Sequence, residues 1–579
     1  MRSLFRTIVN RLLLPLSGAM AVFAGSCLAA ERPNVLFIAL DDQNDWIGCL
    51  GGHPQAKTPN IDRLGASGVV FENAYCPGAS CNPSRSALFT GIPCHRSGLY
   101  SNRQQMREVM PDAEIIPRYF SRNGYWSAGS GKMLHYFIDA PSWDDYYPDK
   151  EREDPFPPWM KFGPRPKSLP RAGDWQYAET DWGPFDVSDA EFKGDYLVAE
   201  WVSKQLAAPH DKPFFLACGI YRPHEPWFVP KKYFDLFPLD GIQMPPGLKE
   251  NDLDDVPPAG QKLGRNRYLA HIKAQGQWKQ GIRAYLACVA YADAMVGRVL
   301  DALDRSPYRD NTIVVLWGDN GFHLGEKEHW QKYTGWRQTA RIPLIVRVPK
   351  GAPGLADGTP RGARCSRPVN LLDLYRTLIE LCGLPEKQGI GGRSLVPLLK
   401  DPRTPWPHPS ITHLDRPDSF ALSTEDWRYI HYADGGEELY DLRADRFEWT
   451  NLARRTEFAE TLEKMRELAP ANRAPLTSAL LPNPALTWVP AANGPCPPSK
   501  ASTNAVTVAL TNYCGQNVRL FRVDAAGKRE PFGTLTPIKT KRVQAYTGQV
   551  WLVTDEQGKD LGHFVAGAES ARAEIETVE

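Results

Sequence analysis

The stretch Cys81-Asn82-Pro83-Ser84-Arg85-Ser86-Ala87-Leu88-Phe89-Thr90-Gly91 decides how the rest of this 579-residue chain is read. Pro83 suits the first turn of a helix, where its missing N–H has no partner to lose, and Ser86 to Phe89 can continue that helix. Residue 81 then stands at or just before a helix N-terminus, where unpaired backbone N–H groups and the helix dipole favour an anion. On these grounds alone a free or disulfide-bonded cysteine fits position 81 equally well.

Upstream, the apolar run Asn34-Val35-Leu36-Phe37-Ile38-Ala39-Leu40 stops at Asp41-Asp42, the pattern of a strand buried on both faces of a parallel sheet. The carboxyl ends of such strands are where open α/β sheets bind ligands. Taken singly, the acidic pair also reads as a solvated turn. Downstream the design returns: Thr312-Ile313-Val314-Val315-Leu316-Trp317 runs into Gly318-Asp319-Asn320-Gly321, with Lys332 a short loop later. Two strand ends thus supply Asp41, Asp42, Asp319 and Asn320, hard oxygen donors suited to calcium or magnesium. Residues 213–219 predict another buried strand, delivering Tyr221-Arg222-Pro223-His224, and residues 343–346 a fourth. Leu286, Val289, Val296, Val299, Leu300 and Leu303 fall at helical spacing, which predicts a core-facing helix over 281–305.

Cys81-Asn82-Pro83-Ser84-Arg85 resembles the Cys-x-Pro-Ser-Arg motif of type I sulfatases, with Thr90-Gly91 at that family's spacing. Gly131-Lys132-Met133-Leu134-His135 is similar to the family's Gly-Lys-x-His segment with one residue inserted, as in iduronate-2-sulfatase-like members. Ile92 departs from the pattern, since many members carry arginine there. Glu438-Leu439-Tyr440-Asp441-Leu442 with Asn451-Leu452-Ala453 resembles the family's small C-terminal subdomain, so the likeness covers about residues 32–469. It implies an α/β, alkaline-phosphatase-like sulfatase fold: a large mixed sheet flanked by helices, then a small C-terminal α+β subdomain.

The resemblance also implies the chemistry. Cys81 would be oxidised to formylglycine by a formylglycine-generating enzyme, and its hydrate would attack sulfur. Asp41, Asp42, Asp319, Asn320 and residue 81 would hold the cation, Ca²⁺ rather than Mg²⁺. Arg85 would hold the hydrate, Lys132 and Lys332 would bind the sulfate, and His135 would remove the proton whose loss expels it. His224 would bind sulfate and, with Lys332, protonate the leaving oxygen. Arg222, Arg103 and Arg337, with Arg341, are candidates for a second anionic group such as a uronate carboxylate. The activity expected is hydrolysis of a sulfated carbohydrate, either a glycosaminoglycan or an algal polysaccharide fragment. The alternatives are a phosphate or phosphonate monoester hydrolase using the same aldehyde, and an unmodified glycan-binding relative.

Length and 42% hydrophobic content predict two or three folded units. A net charge of +1 gives no reason to expect a nucleic-acid partner. Arg2, Arg6 and Arg11 precede an apolar run from Leu12 to Phe23 and small residues to Ala29-Ala30, the layout of a cleaved secretory signal over 1–30. That run is too short to span a bilayer. A secreted or periplasmic protein is therefore expected, with Ser26-Cys27 as an alternative lipoprotein acceptor. Of 11 cysteines, setting aside Cys27 and Cys81 leaves 11 − 2 = 9, an odd number that cannot pair completely.

The expected boundaries are a catalytic domain over 31–405, its subdomain over 406–469, a Pro- and Ala-rich linker over 470–500 and an appended all-β domain over 501–570. Residues 139–185, with Trp143, Trp159, Trp175 and Trp182, read as loops over the mouth of the site whose aromatics pack on one another or stack on sugar. Within the last domain, Pro531-Phe532-Gly533-Thr534-Leu535 and Tyr546-Thr547-Gly548-Gln549-Val550-Trp551-Leu552 resemble the von Hippel–Lindau β-domain. Trp551 fits that domain's hydroxyproline pocket, but Phe532, Ala545 and Gln549 stand where it wants Tyr, Ser and His. A structural cap or a general interaction module is the reading that survives.

Overall fold

Strand β1 (Asn34–Asp41) is the centre of the molecule, hydrogen-bonded on both sides to parallel neighbours. The computed structural model describes residues 32–151, 155–157, 168–173, 175–177, 179–476, 485–512, 514, 516–536 and 540–575. The expected leader over 1–30 and Trp159 lie outside them. Residues Arg32–Glu579 group as one unit.

The remaining elements of the large sheet are β2 (Val69–Tyr75), β3 (Trp126–Gly131), β4 (Asp145–Tyr147), β5 (Phe214–Pro223), β6 (Thr312–Gly318), β7 (Leu344–Arg347) and β8 (Ala363–Asn370). Their order is β8-β2-β7-β6-β1-β5-β3-β4. Only β7 runs antiparallel to its neighbours, so the sheet is mixed, as expected. The unbroken apolar run of β1 follows from its position. Leu36, Ile38 and Leu40 belong to the core under helices α2 (Asp195–Ala207) and α3 (Trp278–Arg305), while Val35, Phe37 and Ala39 pack with Leu88 and Phe89 of α1 (Cys81–Thr90) on the other face. Both faces being covered, no polar side chain fits between Val35 and Leu40, and polarity begins where the sheet ends.

Two glycines let β3 and β5 meet closely enough to place Lys132. Gly131 has φ +76°, and a Cβ on it would lie 2.1 Å from the Gly219 carbonyl oxygen. A Cβ on Gly219 would lie 2.5 Å from the backbone nitrogen of Lys132, which donates to Gly219 O at 3.1 Å. Gly219→Ala is accordingly expected to destabilise the fold by about 3 kcal/mol, at the upper end of overpacking costs. It should also displace Lys132; an unchanged unfolding midpoint would contradict this account.

A second, four-stranded antiparallel sheet comprises Ser410–His413, Phe420–Ser423, Trp427–His431 and Glu437–Asp441, backed by the helix Ala459–Glu467. The C-terminal region is all β. Val518–Val523, Arg529–Leu535, Val550–Thr554 and Asp560–Val565 form one sheet with the short strand Val489–Pro490, and Ala505–Asn512, Thr540–Tyr546 and Ala571–Ile575 form another. Trp551 is fully buried between them, and the Phe532 ring packs edge-on against it at 4.8 Å. Among the described residues all ten cysteines are free thiols, and no helix is long and apolar enough to cross a membrane.

Candidate active site

Helix α1 begins at Cys81 after an extended Ser80 and closes at Gly91, whose φ of +69° lets its N–H reach Ala87 O. The motif residues lock this helix to its surroundings. Ser84 Oγ donates to Asp319 O at 2.6 Å, Thr90 Oγ1 to Ser86 O at 2.7 Å, and Asn82 Nδ2 to Ser101 O and Gln104 O at 3.0 and 2.6 Å. Cys81 is thereby fixed, fully buried, at the carboxyl edge of the sheet.

Three carboxylates and three cations converge there. Lys332 Nζ lies 3.0 Å from Cys81 Sγ and 2.5 Å from Asp42 Oδ1, and Sγ lies 3.7 Å from the same oxygen. Lys132 Nζ donates to Asp41 Oδ2 at 2.5 Å and sits 4.6 Å above the Tyr136 ring. Arg85 donates from Nε to Asp319 Oδ2 at 2.7 Å and from a terminal nitrogen to Asp41 Oδ1 at 3.3 Å. Its remaining donors take Lys132 O and Met133 O, and its guanidinium lies 5.3 Å from the Trp317 ring. All six charged side chains are almost wholly withdrawn from water.

Burial sets the titration of these groups. It raises Asp41, but Lys132 and Arg85 outweigh it and hold that carboxyl well below the usual range. In Asp42 burial wins over Lys332 and pushes the group up to about 6. Burial lowers His224 and His135 well below the usual imidazole range, the nearby lysines adding to it, so both rings are neutral at neutral pH. His224 Nε2 stands 3.6 Å from Asp42 Oδ2, and its Nδ1 pairs with Glu225 O at 2.6 Å. His135 Nδ1 is buried without a hydrogen-bond partner among the described residues.

The donor set fits a hard divalent cation. Ligand atoms of Asp41, Asp42, Cys81 and Asp319 all lie within 4.8 Å of one another. Asn320 donates from Nδ2 to Asp42 Oδ1 at 2.7 Å while its Oδ1 is buried with no partner among the described residues. An unpartnered buried oxygen beside three carboxylates is what an oxygen-seeking ion completes. The charges of Asp41, Asp42 and Asp319 cancel those of Arg85, Lys132 and Lys332, so such an ion leaves the pocket positive and receptive to an anion.

A cavity of about 1370 Å³ opens onto this centre, lined by Asp42, His135, His224 and Lys332 among others. Arg103 lies on its rim, exposed. The other three arginines are placed elsewhere. Arg222 is 1% exposed, donates to Phe228 O at 3.1 Å and packs against the rings of Phe192 and Tyr221. Arg337 donates to Arg446 O and Asn73 Oδ1, and Arg341 to Glu72 O and Asp45 Oδ2. For these three, the expectation of a substrate contact is replaced by bonds within the fold. Of the described tryptophans of 139–185, Trp182 stacks on Trp227 at 5.7 Å, Trp143 packs on Tyr146 at 5.1 Å, and the half-buried Trp175 meets Tyr268 edge-on at 5.2 Å. Most of the aromatic rings that line the cavity are tyrosines, including Tyr136, Tyr177, Tyr268 and Tyr333, with Phe137 and Phe322 beside them, and the buried Glu225 joins them. Sequence reasoning passed over these; Tyr136 and Glu225 directly follow His135 and His224, which is the signal they carried.

The Sulfatase family profile matches residues 33–384, the N-sulphoglucosamine sulphohydrolase C-terminal profile 325–473, and the VHL beta domain profile 498–569. A sulfatase of Formosa agariphila is 38% identical over 457 residues, covering 77% of this chain and 87% of that protein. The iduronate 2-sulfatase of Mus musculus is 30% identical over 389 residues, covering 62% and 70%. Among solved structures, the phosphonate monoester hydrolase of Agrobacterium radiobacter superposes with a TM-score of 0.59 at 20% identity, covering 75% of this chain and 94% of that one.

Proposed function

The chain belongs to the sulfatase family, and from that premise we propose that it removes sulfate from a sulfated carbohydrate, using a formylglycine made from Cys81 and a calcium ion. The observation that carries this reading is the convergence of Lys332 and Asp42 on Cys81 Sγ inside a charge-balanced, water-poor pocket. Such a pocket magnifies Coulomb attraction for an anionic ester several-fold over bulk water.

Asp41, Asp42, Asp319 and Asn320 would hold the ion. When bound, it would supply positive charge that favours an ionised oxygen on residue 81. Arg85, pinned by Asp319 and Asp41, would hold the hydrated residue 81. Lys132 and Lys332 bring ammonium donors to the sulfate oxygens. His224, neutral in the free protein, would take up a proton once the sulfate anion lies beside it and then hydrogen-bond to that anion, and it or Lys332 would deliver a proton to the leaving sugar oxygen. His135, also neutral and with Nδ1 unpartnered, would accept a proton from residue 81. The sugar itself is proposed from the company of the chain, since one relative is named for iduronate. Export beyond the cytoplasm is proposed from the basic and apolar order of residues 2–30.

Three measurements test this. Mass spectrometry of the peptide containing residue 81, from a host with the maturation enzyme, is expected to show an aldehyde; an intact thiol would favour a glycan-binding role. A panel of sulfated di- and oligosaccharides is expected to release sulfate, and aryl sulfate should outrun aryl phosphate; the reverse preference would make the protein a phosphomonoester hydrolase. Exhaustive chelation is expected to abolish turnover. Calcium restored to about 100 times its Kd should raise stability by about 2.7 kcal/mol, seen as a higher unfolding temperature. No shift on adding calcium would remove the ion from the site.

A further inference from the structure

The main cavity is larger than the roughly 300–1,000 Å³ typical of small-ligand pockets, and its walls do not all come from the catalytic region. Thr511 and Arg542, on adjacent strands of the C-terminal β-domain, line it as well. Arg542 Nη1 forms an ion pair with Glu108 Oε1, a contact between residues 434 positions apart. Its Nε and Nη2 are buried and have no hydrogen-bond partner among the described residues. Two parallel guanidinium donors left free in this way match the paired oxygens of a sulfate or a carboxylate. Arg103 and Arg416 line the same cavity, both exposed. Of the facing carboxylates, Asp415 and Asp418 share the rim, and Asp418 is tied to Arg473 at 3.2 Å.

We propose that the C-terminal β-domain is the distal wall of the substrate cavity and that Arg542, with Arg103, binds a second anionic group, sulfate or carboxylate, on an oligosaccharide whose scissile sulfate lies at residue 81. This rests on the reading of the site as a carbohydrate sulfatase. It gives the appended domain a function that its departures from the hydroxyproline pocket leave open, and it makes the enzyme selective for substrates carrying more than one charge. Glu108 holds the guanidinium in place from the catalytic side and partly offsets its charge.

The test is calorimetric binding to the full-length protein of two probes, sucrose octasulfate, which offers sulfates only, and trigalacturonate, which offers carboxylates only. Arg542→Ala is expected to weaken binding of at least one probe by about tenfold, the scale of a hydrogen-bonded charge pair; the probe affected identifies the group recognised. Glu108→Gln breaks the same interdomain ion pair but leaves the guanidinium charge, so affinity should hold or rise. Equal weakening by both variants would show that the pair only docks the domain and would overturn the proposal. Unchanged affinity for both probes in Arg542→Ala would overturn it too. Turnover of 4-nitrocatechol sulfate by the wild-type protein, measured alongside, judges the sulfatase reading separately, because binding of the probes does not require turnover.

Discussion

Cys81→Ala is expected to lower the rate of sulfate release by about 10⁵-fold or more, the scale on which loss of a nucleophile acts. Every charged group at the site is arranged around that one side chain, with Lys332 at 3.0 Å and Asp42 at 3.7 Å. Alanine leaves the helix and its anchors through Ser84 and Asn82 intact, so the unfolding midpoint should stay near that of the wild-type protein. The lysines and the acidic cluster would still bind a sulfate ester, which leaves binding without turnover. Assay on 4-nitrocatechol sulfate and on the best sugar substrate decides the matter, and activity within tenfold of wild type would mean that the reacting group is elsewhere.

The second large effect is structural as well as catalytic. Asp319 accepts from Arg85 Nε at 2.7 Å and from the backbone nitrogen of Asp42 at 2.9 Å, all inside a region closed to water. Asp319→Ala removes the closer of the two carboxylates that neutralise Arg85 and leaves part of a buried guanidinium charge uncompensated. Breaking such a pair from one side costs about 3–5 kcal/mol. The variant should therefore unfold at lower denaturant concentration, lose its response to calcium and show no turnover. A double variant, Asp319→Ala with Arg85→Leu, should recover part of the stability but none of the activity. Equal destabilisation by the single and double variants would show that the ion pair is not the cause.

The four central strands of the large sheet, β7, β6, β1 and β5, were legible because they are apolar runs, and two of them, β1 and β6, lead into Asp41 and Asp319. Periodicity, length and the switch from Leu40 to Asp41 all agree, and β1 runs over Asn34–Asp41. Helix α1 was legible from Pro83 and Gly91, whose backbone preferences leave few alternatives. Arginine placement was not. Arg222 precedes His224 by two positions, which in a regular strand puts both on one face. The register between β1 and β5 slips there, Leu40 pairing with Ile220 but Asp41 with Pro223, so Tyr221 and Arg222 fall in the irregularity and Arg222 reaches Phe228 O. Arg337 and Arg341 bond to Arg446, Asn73, Glu72 and Asp45, partners at least about one hundred positions away that no local pattern announces. The same reason hid the contact between Arg542 and Glu108, since composition and turn chemistry describe the β-domain but not the surface it meets.

The complete enclosure of Cys81 has a consequence for how the protein is made. The maturation enzyme that the proposed function requires would have to grip the polypeptide around residue 81, and in the folded molecule that segment is a helix buried on every side. On the proposed conversion of Cys81, oxidation would have to be finished while the chain is still extended, and a copy that closes too soon would stay inert. The fraction of working enzyme in a preparation is then a race between two clocks, collapse and conversion, so that slowing the first by cooling the host, or supplying more of the second, should raise specific activity without altering a single residue.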